Sequence, residues 1–324
     1  MKKLFCALCA LLLLCAAVLP ACAEDEAARI FVLKGPTGMA FAHMMVNGDD
    51  EYAFTVAGAP DEITGQILGG NADIAAVPLN LACVLNSRSG GEVKILCLIT
   101  GGMLYVLEKG ESITGIQDLN GKSILAAGLG AAPEYVFNYI LDTNGVSADV
   151  TYAAEQNEVV SLVLAGKADT VLLPEPHVST LLSKAPGFRV CLSVTEEFEK
   201  AALADGYEDA EMHMSCVAVR GEYLEEHPDA VSKLMAQLEE SIRFALEDPA
   251  AAAQEIAAAG IIPSADTALA ALPNCALCFI AGEEMPGKAL PMIGVLYNAN
   301  PKAVGGKMPD ETLFVTETGA SVPD

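Results

Sequence analysis

Short apolar runs alternate with stretches of helical periodicity along most of this chain, and that alternation restricts the fold more than any other feature. ARIFVL is followed by AFAHMMV, YAFTVAG by APDEITGQILGG, and ADIAAVP by LNLACVLNSRSG. A long extended run, EVKILCLITGGMLYVLEKG, is broken at Gly101-Gly102. The rhythm then restarts with SILAAGLG, AAPEYVFNYILDTNGV, DVTYA, EQNEVVSLVLAGKA, DTVLLP, EPHVSTLLSKAPG and FRVCLSVT. Continuously apolar strands separated by helices predict an α/β protein with mostly parallel sheets, covered by helices on both faces. A further strand, MHMSCVAV, precedes helical stretches in EYLEEHPDAVSKLMAQLEESIRFALEDP and AAAAQEIAAAG. The restart predicts two lobes. The first comprises residues 24–104 and 196–324, the second 105–195, with one crossing near Thr100–Tyr105 and the C-terminal helices packed on the first lobe.

Residues 1–23 stand apart. MKK is a basic start, LFCALCALLLLCAAVL an apolar stretch, and Leu19-Pro20-Ala21-Cys22-Ala23 a cleavage region before the acidic EDE. This is the pattern of an export signal. Two cuts fit: cleavage after Ala23, or a lipobox that leaves Cys22 as a lipidated N-terminus. The apolar run is short for a membrane span. The protein is therefore expected outside the cytoplasm, periplasmic or tethered to the outer face of the cell membrane, with a lipid on Cys22 as its sole membrane contact.

The formal charge of −25 argues against nucleic acid and against docking on anionic membranes, both of which call for basic patches. Of the ten cysteines, Cys6, Cys9, Cys15 and Cys22 lie in the leader. An exported chain could pair the other six. However, Cys83, Cys97, Cys191 and Cys216 sit in apolar runs, where cysteine behaves as a small buried hydrophobe. Cys275 and Cys278 have CxxC spacing without a second pair or nearby histidines to complete a zinc site.

In open α/β sheets ligands bind beyond the carboxyl ends of the strands. The residues there are Gly35-Pro36-Thr37-Gly38-Met39, Gly58-Ala59-Pro60, Pro78-Leu79-Asn80, Gly128-Leu129-Gly130-Ala131-Ala132-Pro133-Glu134 and Pro174-Glu175-Pro176-His177. Singly each has an ordinary reading. Gly-Pro loops are turns, Thr37 and Asn80 fit as helix caps, Glu175 as a solvated loop acid, and His177 as a satisfied structural residue. Together they form five small-residue loops at equivalent strand ends, and two facing lobes would bring them to one cleft. Gly102, at the crossing, joins this candidate set. No GxSxG or Walker loop is present, GLGAAPEY lacks dinucleotide spacing, and the Met-rich spots at His43 and His213 read as core rather than copper ligands. No cofactor or metal is implied.

Several segments together carry a family resemblance. They are GPTG after the first strand, GAPDEITGQILGGNADIAAVP, DLNGKSILAAGLGAAPEYVFNYIL, LVLAGKADTVLLPEP and EYLEEHPDAVSKL. In this order they resemble the substrate-binding proteins of bacterial ABC transporters, in the nitrate, sulfonate and thiamine-precursor binding group with the type II periplasmic binding fold. The resemblance spans essentially all of the chain after the leader. It implies a two-lobed receptor that closes on a small polar or anionic solute and presents it to an ABC permease and its ATPase. On that reading Gly38 lets the backbone approach the solute, while Thr37 and unoccupied N–H groups donate to it, and the helix starting near Ala132 acts likewise from the other lobe. There are departures. The group commonly places a Trp or an acid-Pro-Tyr pair where this chain has Glu175-Pro176-His177, and this chain has no Trp. Glu134 and Glu175 add negative charge near the cleft, so the solute's charge stays open. An enzyme on the same fold, similar to pyrimidine-precursor or menaquinone-pathway enzymes, is the alternative, with His177 as its reactive group. A sensory module is a third reading, although no signalling domain is attached.

Overall fold

A computed structural model describes residues 27–48, 51–207 and 210–316. The leader and Cys22 lie outside the described residues. Among those described, no helix is long and apolar enough to cross a membrane.

Two sheets organise the chain. The first holds β1 (Ala28–Leu33), β2 (Tyr52–Ala57), β3 (Ile74–Pro78), β4 (Val93–Gly101), β10 (His213–Arg220) and β11 (Leu277–Ala281), in the spatial order β11-β4-β10-β3-β1-β2. The second holds β5 (Leu104–Lys109), β6 (Ser123–Ala127), β7 (Asp149–Ala153), β8 (Thr170–Pro174) and β9 (Phe188–Ser193), in the order β7-β6-β8-β5-β9. The α/β architecture with two sheets matches the expectation. The pairing is mixed rather than mostly parallel. β1 runs parallel to β2 and β3, and β6 to β7 and β8, whereas β5 and β10 run antiparallel to their neighbours. The cause is the crossing. β5 follows β4 with no helix between and so enters its sheet from the opposite direction, and β10 returns to the first sheet after the helix Val194–Ala204.

Helices α1 (Pro36–Met39), α2 (Ala42–Asn47), α3 (Pro60–Leu68) and α4 (Leu79–Arg88) follow the strands of the first lobe. Helices α5 (Ala132–Thr143), α6 (Gln156–Leu164), α7 (His177–Lys184) and α8 (Val194–Ala204) follow those of the second. The C-terminal part adds α9 (Gly221–Glu226), α10 (Pro228–Glu247), α11 (Pro249–Ala258), α12 (Ala265–Ala271) and α13 (Met285–Ala299). The helix–strand unit recurs with the same backbone. After α3, Gly70 takes φ 74° and Asn71 N–H returns to the Gln66 carbonyl at 2.8 Å. After α6, Gly166 takes φ 69° and Lys167 N–H returns to Leu162 at 3.0 Å. Both are left-handed helix ends that only glycine adopts without strain, and each aims the chain into a buried strand.

One core fills a face of the first sheet, with Ile30, Val32, Leu96 and Val217 against Phe41, Leu234, Leu238 and Ile256. A second covers its other face and continues without interruption into the second lobe, joining Leu98 and Ile293 to Val106, Phe137 and Phe198. A third, with Leu107, Val163, Leu173 and Leu181, covers the far face of the second sheet. β11 and α13 leave little local mark in the sequence: LCFIA overlaps the Cys275–Cys278 spacing, and Pro291 interrupts the α13 pattern. All six described cysteines are free thiols.

Candidate functional site

The register sets the site's edge. β3 pairs with β10 through Pro78 and Ser215, and β4 with β10 through Thr100 and Ser215. The ends of β3 and β4 and the start of β10 therefore share one edge of the first sheet. In the second sheet Leu104 pairs with Pro174, so the crossing enters beside the end of β8. Both strand-end edges meet at the crossing.

The first loop differs from what the family resemblance implied. α1 is a single turn, too short to build the dipole that reading relied on. The N–H groups of Gly38 and Met39 both bond to the Gly35 carbonyl, at 3.0 and 3.2 Å, and that of Gly35 to Ile261 at 3.4 Å. Gly38 serves packing. A Cβ there would lie 2.4 Å from the Leu33 carbonyl and 2.7 Å from Ile261 Cδ1. Met39 is buried in the first core. Pro36 and Thr37 remain half-buried at the edge.

Ala59 and Pro60 are exposed at the head of α3, and Glu62 accepts the Gly58 N–H at 3.2 Å. Pro78 ends β3, and Asn80 Nδ2 donates to the Ala303 carbonyl at 3.4 Å. Gly102 is buried because its Cα faces Thr195; an added Cβ would sit 2.0 Å from Thr195 Oγ1. In the second lobe, Gly128 and Leu129 N–H groups go to Ala153, and Ala131 N–H goes to Gly128. Glu134 accepts the Gly130 N–H at 2.6 Å, so its carboxylate already occupies the loop amide expected to await a solute. Ala132 is buried below this loop.

Glu175 is 2 % exposed. It accepts from Ser179 N–H and Oγ, each at 3.0 Å, and from Asn274 Nδ2 at 3.4 Å. It is thus an internal cap of α7 rather than a solvated loop acid. Burial raises its pKa, with the Ser179 and Asn274 bonds pulling the other way. A cis peptide joins Glu175 to Pro176, and His177 opens α7. Burial lowers the His177 pKa, which favours the neutral ring.

Among the described residues His177 Nδ1 is buried without a hydrogen-bond partner, while His213 Nδ1 makes no well-aligned bond but its ring still feels the Thr100 backbone: burial lowers the His213 pKa, and Thr100 pulls it the other way. Both residues stand on the strand-end edges, one on each lobe. Buried polar atoms are nearly always satisfied, so His177 Nδ1 is a position where a water, an ion or a solute group would complete the hydrogen bonding. His213 is 2 % exposed, and its Nε2 lies 3.1 Å from Glu211, which Lys288 holds at 2.5 Å. Beside it Thr100 and Ser215 share a buried hydroxyl contact of 2.5 Å. Sequence reasoning missed Thr100, Ser215 and Asn274. Only strand register brings them to the edge, and His213 was absorbed into a Met-rich core pattern.

A cavity of ≈ 760 Å³ lies between α8 and α13, with Glu196, Glu199, Glu211, Glu284, Lys200 and Lys288 on its walls, and Glu211 joins it to His213. Burial raises the Glu199 pKa there, with Glu211 and Glu196 adding to the effect. Among the described residues no cluster of His, Cys, Asp and Glu has the arrangement of a metal site.

The arrangement resembles solved structures at low identity. An ABC transporter protein from Parabacteroides distasonis superposes with a TM-score of 0.75 at 21 % identity, over 90 % of this chain and 99 % of that one. The periplasmic aliphatic sulphonate binding protein SsuA from Escherichia coli gives 0.69 at 15 % identity, over 93 % and 96 %. A Candida albicans protein described as having the generic periplasmic binding protein fold gives 0.52 at 12 % identity, over 89 % and 93 %. No curated protein sequence matches the chain. Two α/β sheets that meet at a pair of strand-end edges beside a crossing define the periplasmic binding protein fold. The NMT1/THI5-like family model matches residues 60–252, more than half of the chain. The chain belongs to the NMT1/THI5-like family.

Proposed function

We propose that the protein is an extracytoplasmic solute receptor that delivers a small polar or anionic metabolite to an ABC importer. The observation that carries this reading is the unpartnered buried ring nitrogen His177 Nδ1, which stands after the end of β8, beside the crossing between the two lobes. Its context is family membership and the likeness to a sulphonate-binding protein. The two sheets act as lobes, 24–104 with 196–324 and 105–195, except that α8 (Val194–Ala204), which packs on α5, β5 and β9, moves with the second although most of it lies beyond residue 195. The solute enters between them, completes the hydrogen bonding of the edge, and closure excludes water so that each contact strengthens. With Glu134 on the Gly130 amide and Glu175 capping α7, the second lobe offers a polar rather than a strongly cationic surface. A permease and its ATPase are the partners of this reading, and the location is outside the cytoplasm, tethered through Cys22 if the lipobox is used.

The enzyme reading asks for a reactive histidine or thiolate. All six described thiols have raised pKa values through burial, Cys83 to about 12 and Cys191 and Cys278 to about 11, which keeps them protonated. The test is thermal unfolding against a metabolite panel. A solute at a hundred times its Kd stabilises by about 2.7 kcal/mol. His177→Ala should weaken that shift, and uniform flat melts would overturn the proposal.

A further inference from the structure

A polar chain runs between two of the candidate solute loops through the C-terminal segment. Pro301–Val304 forms a short 3-10 turn seated on α4. Asn80 Nδ2 donates to Ala303, and Ser87 Oγ donates to Gly305 at 2.7 Å. Gly305 packs closely on α4, since a Cβ added there would lie 2.5 Å from Ser87 Cβ. This segment is therefore fixed to the first lobe. Asn300 begins it and is itself held in place, with Oδ1 accepting Lys302 N–H at 3.1 Å and its carbonyl accepting Ala303 N–H at 2.8 Å. Its remaining group, Nδ2, crosses to the second lobe and donates to Tyr135 Oη at 2.8 Å. Tyr135 stands in the first turn of α5 and donates its own hydroxyl proton to the Gly130 carbonyl at 3.3 Å. The path from the Asn80 loop to the Gly130 loop is thus Asn80, Ala303, Asn300, Tyr135, Gly130.

We propose that Asn300 and Tyr135 form a clasp that ties the Gly128–Gly130 loop to the first lobe and so limits how far the lobes separate. Its functional meaning rests on the receptor reading; its physical content does not. Asn300 is the jaw because its carbonyl and Oδ1 already fix it, so the bond to Tyr135 costs little added ordering. A hydroxyl that donates to one lobe and accepts from the other serves both ends of the path at once. Tyr135 and Asn300 are positioning residues here. They act on the solute loops and are not assigned any contact with the solute.

The experiment is small-angle X-ray scattering on the wild type, Tyr135→Phe, Asn300→Ala and the double variant, each stripped of any co-purified molecule by unfolding and refolding and then shown by native mass spectrometry to carry none. Tyr135→Phe keeps the ring that packs on the core and removes only the hydroxyl. The expected result is a shift of the distance distribution to longer values in both single variants. The double variant should shift no further than either one, because one bond is lost in each. Superimposable curves for the wild type and Tyr135→Phe, with circular dichroism showing both folded, would overturn the clasp. So would additive shifts in the double variant. Neither outcome touches solute binding, which the melt panel reads separately.

Discussion

Replacing Gly102 by alanine should destabilise the protein through one contact, and a second substitution should reverse it. Gly102 lies in the crossing between β4 and β5, and its φ is not in the left-handed region, so the backbone tolerates alanine. The obstacle is Thr195 at the head of α8. An alanine Cβ would lie 2.0 Å from its Oγ1, 2.9 Å from its Cβ and 3.0 Å from its Cγ2. Rotating the Thr195 side chain relieves the Oγ1 and Cγ2 contacts but not the one to Cβ, which is fixed to the helix. The crossing must then move away from α8, and overpacking of this kind costs about 1–3 kcal/mol. Thr195→Gly removes every offending atom, at a helix-propensity cost of a few tenths of a kcal/mol. Urea unfolding should show a lower midpoint for Gly102→Ala with an unchanged slope. The double variant should recover most of the loss, giving a coupling of about the clash energy. A Gly102→Ala protein within about 0.5 kcal/mol of wild type, or no rescue by Thr195→Gly, would refute the reasoning.

Further predictions follow from other contacts. Glu108 is 2 % exposed, and burial alone would raise its pKa; the bonds from Ile113 N–H, Ser112 and Arg189 outweigh this and lower it from the ordinary 4.5. A carboxylate with a depressed folded pKa adds stability above pH 4.5 that is lost as pH falls through the folded value. Glu108→Gln should cost about 2 kcal/mol at pH 7 and flatten the acid limb of a pH–stability curve. Phe137→Ala, in the core shared by both lobes, should cost about 3–5 kcal/mol in the same urea assay. Gly305→Ala meets both a φ of 90° and the Ser87 contact, and should lower the thermal midpoint more than Gly306→Ala, which has the same φ and open space. Thiol titration should find the six described cysteines largely unreactive in the native protein and fully reactive in urea.

The sequence made the architecture legible because burial and helix ends leave local marks. IAAVP reads as a doubly covered strand, and residues 74–77 are all buried. Pro60 and Pro133 mark helix starts, and Gly70 and Gly166 mark helix ends. What stayed hidden is long-range. The direction of β5 and β10 depends on how the chain crosses between lobes, which no local pattern records. Pro291 inside α13 broke the periodicity that would have announced that helix. The site was legible as a set of loops but not as a set of atoms. Glu175 looked like a loop acid, and only the partners Ser179 and Asn274 give it a capping role. Gly38 looked like an approach for a ligand, and the structure gives its space to Leu33 and Ile261. Thr100, Ser215, Asn274 and Asn300 are ordinary residues in ordinary sequence, and strand register and the C-terminal turn place them near the edge.

The measurement that tests the central claim most directly is native mass spectrometry of the protein purified without refolding. The account predicts a bound small molecule of one defined mass, lost when His177 is replaced by alanine. An empty wild-type protein that also shows no thermal shift across the metabolite panel would contradict it.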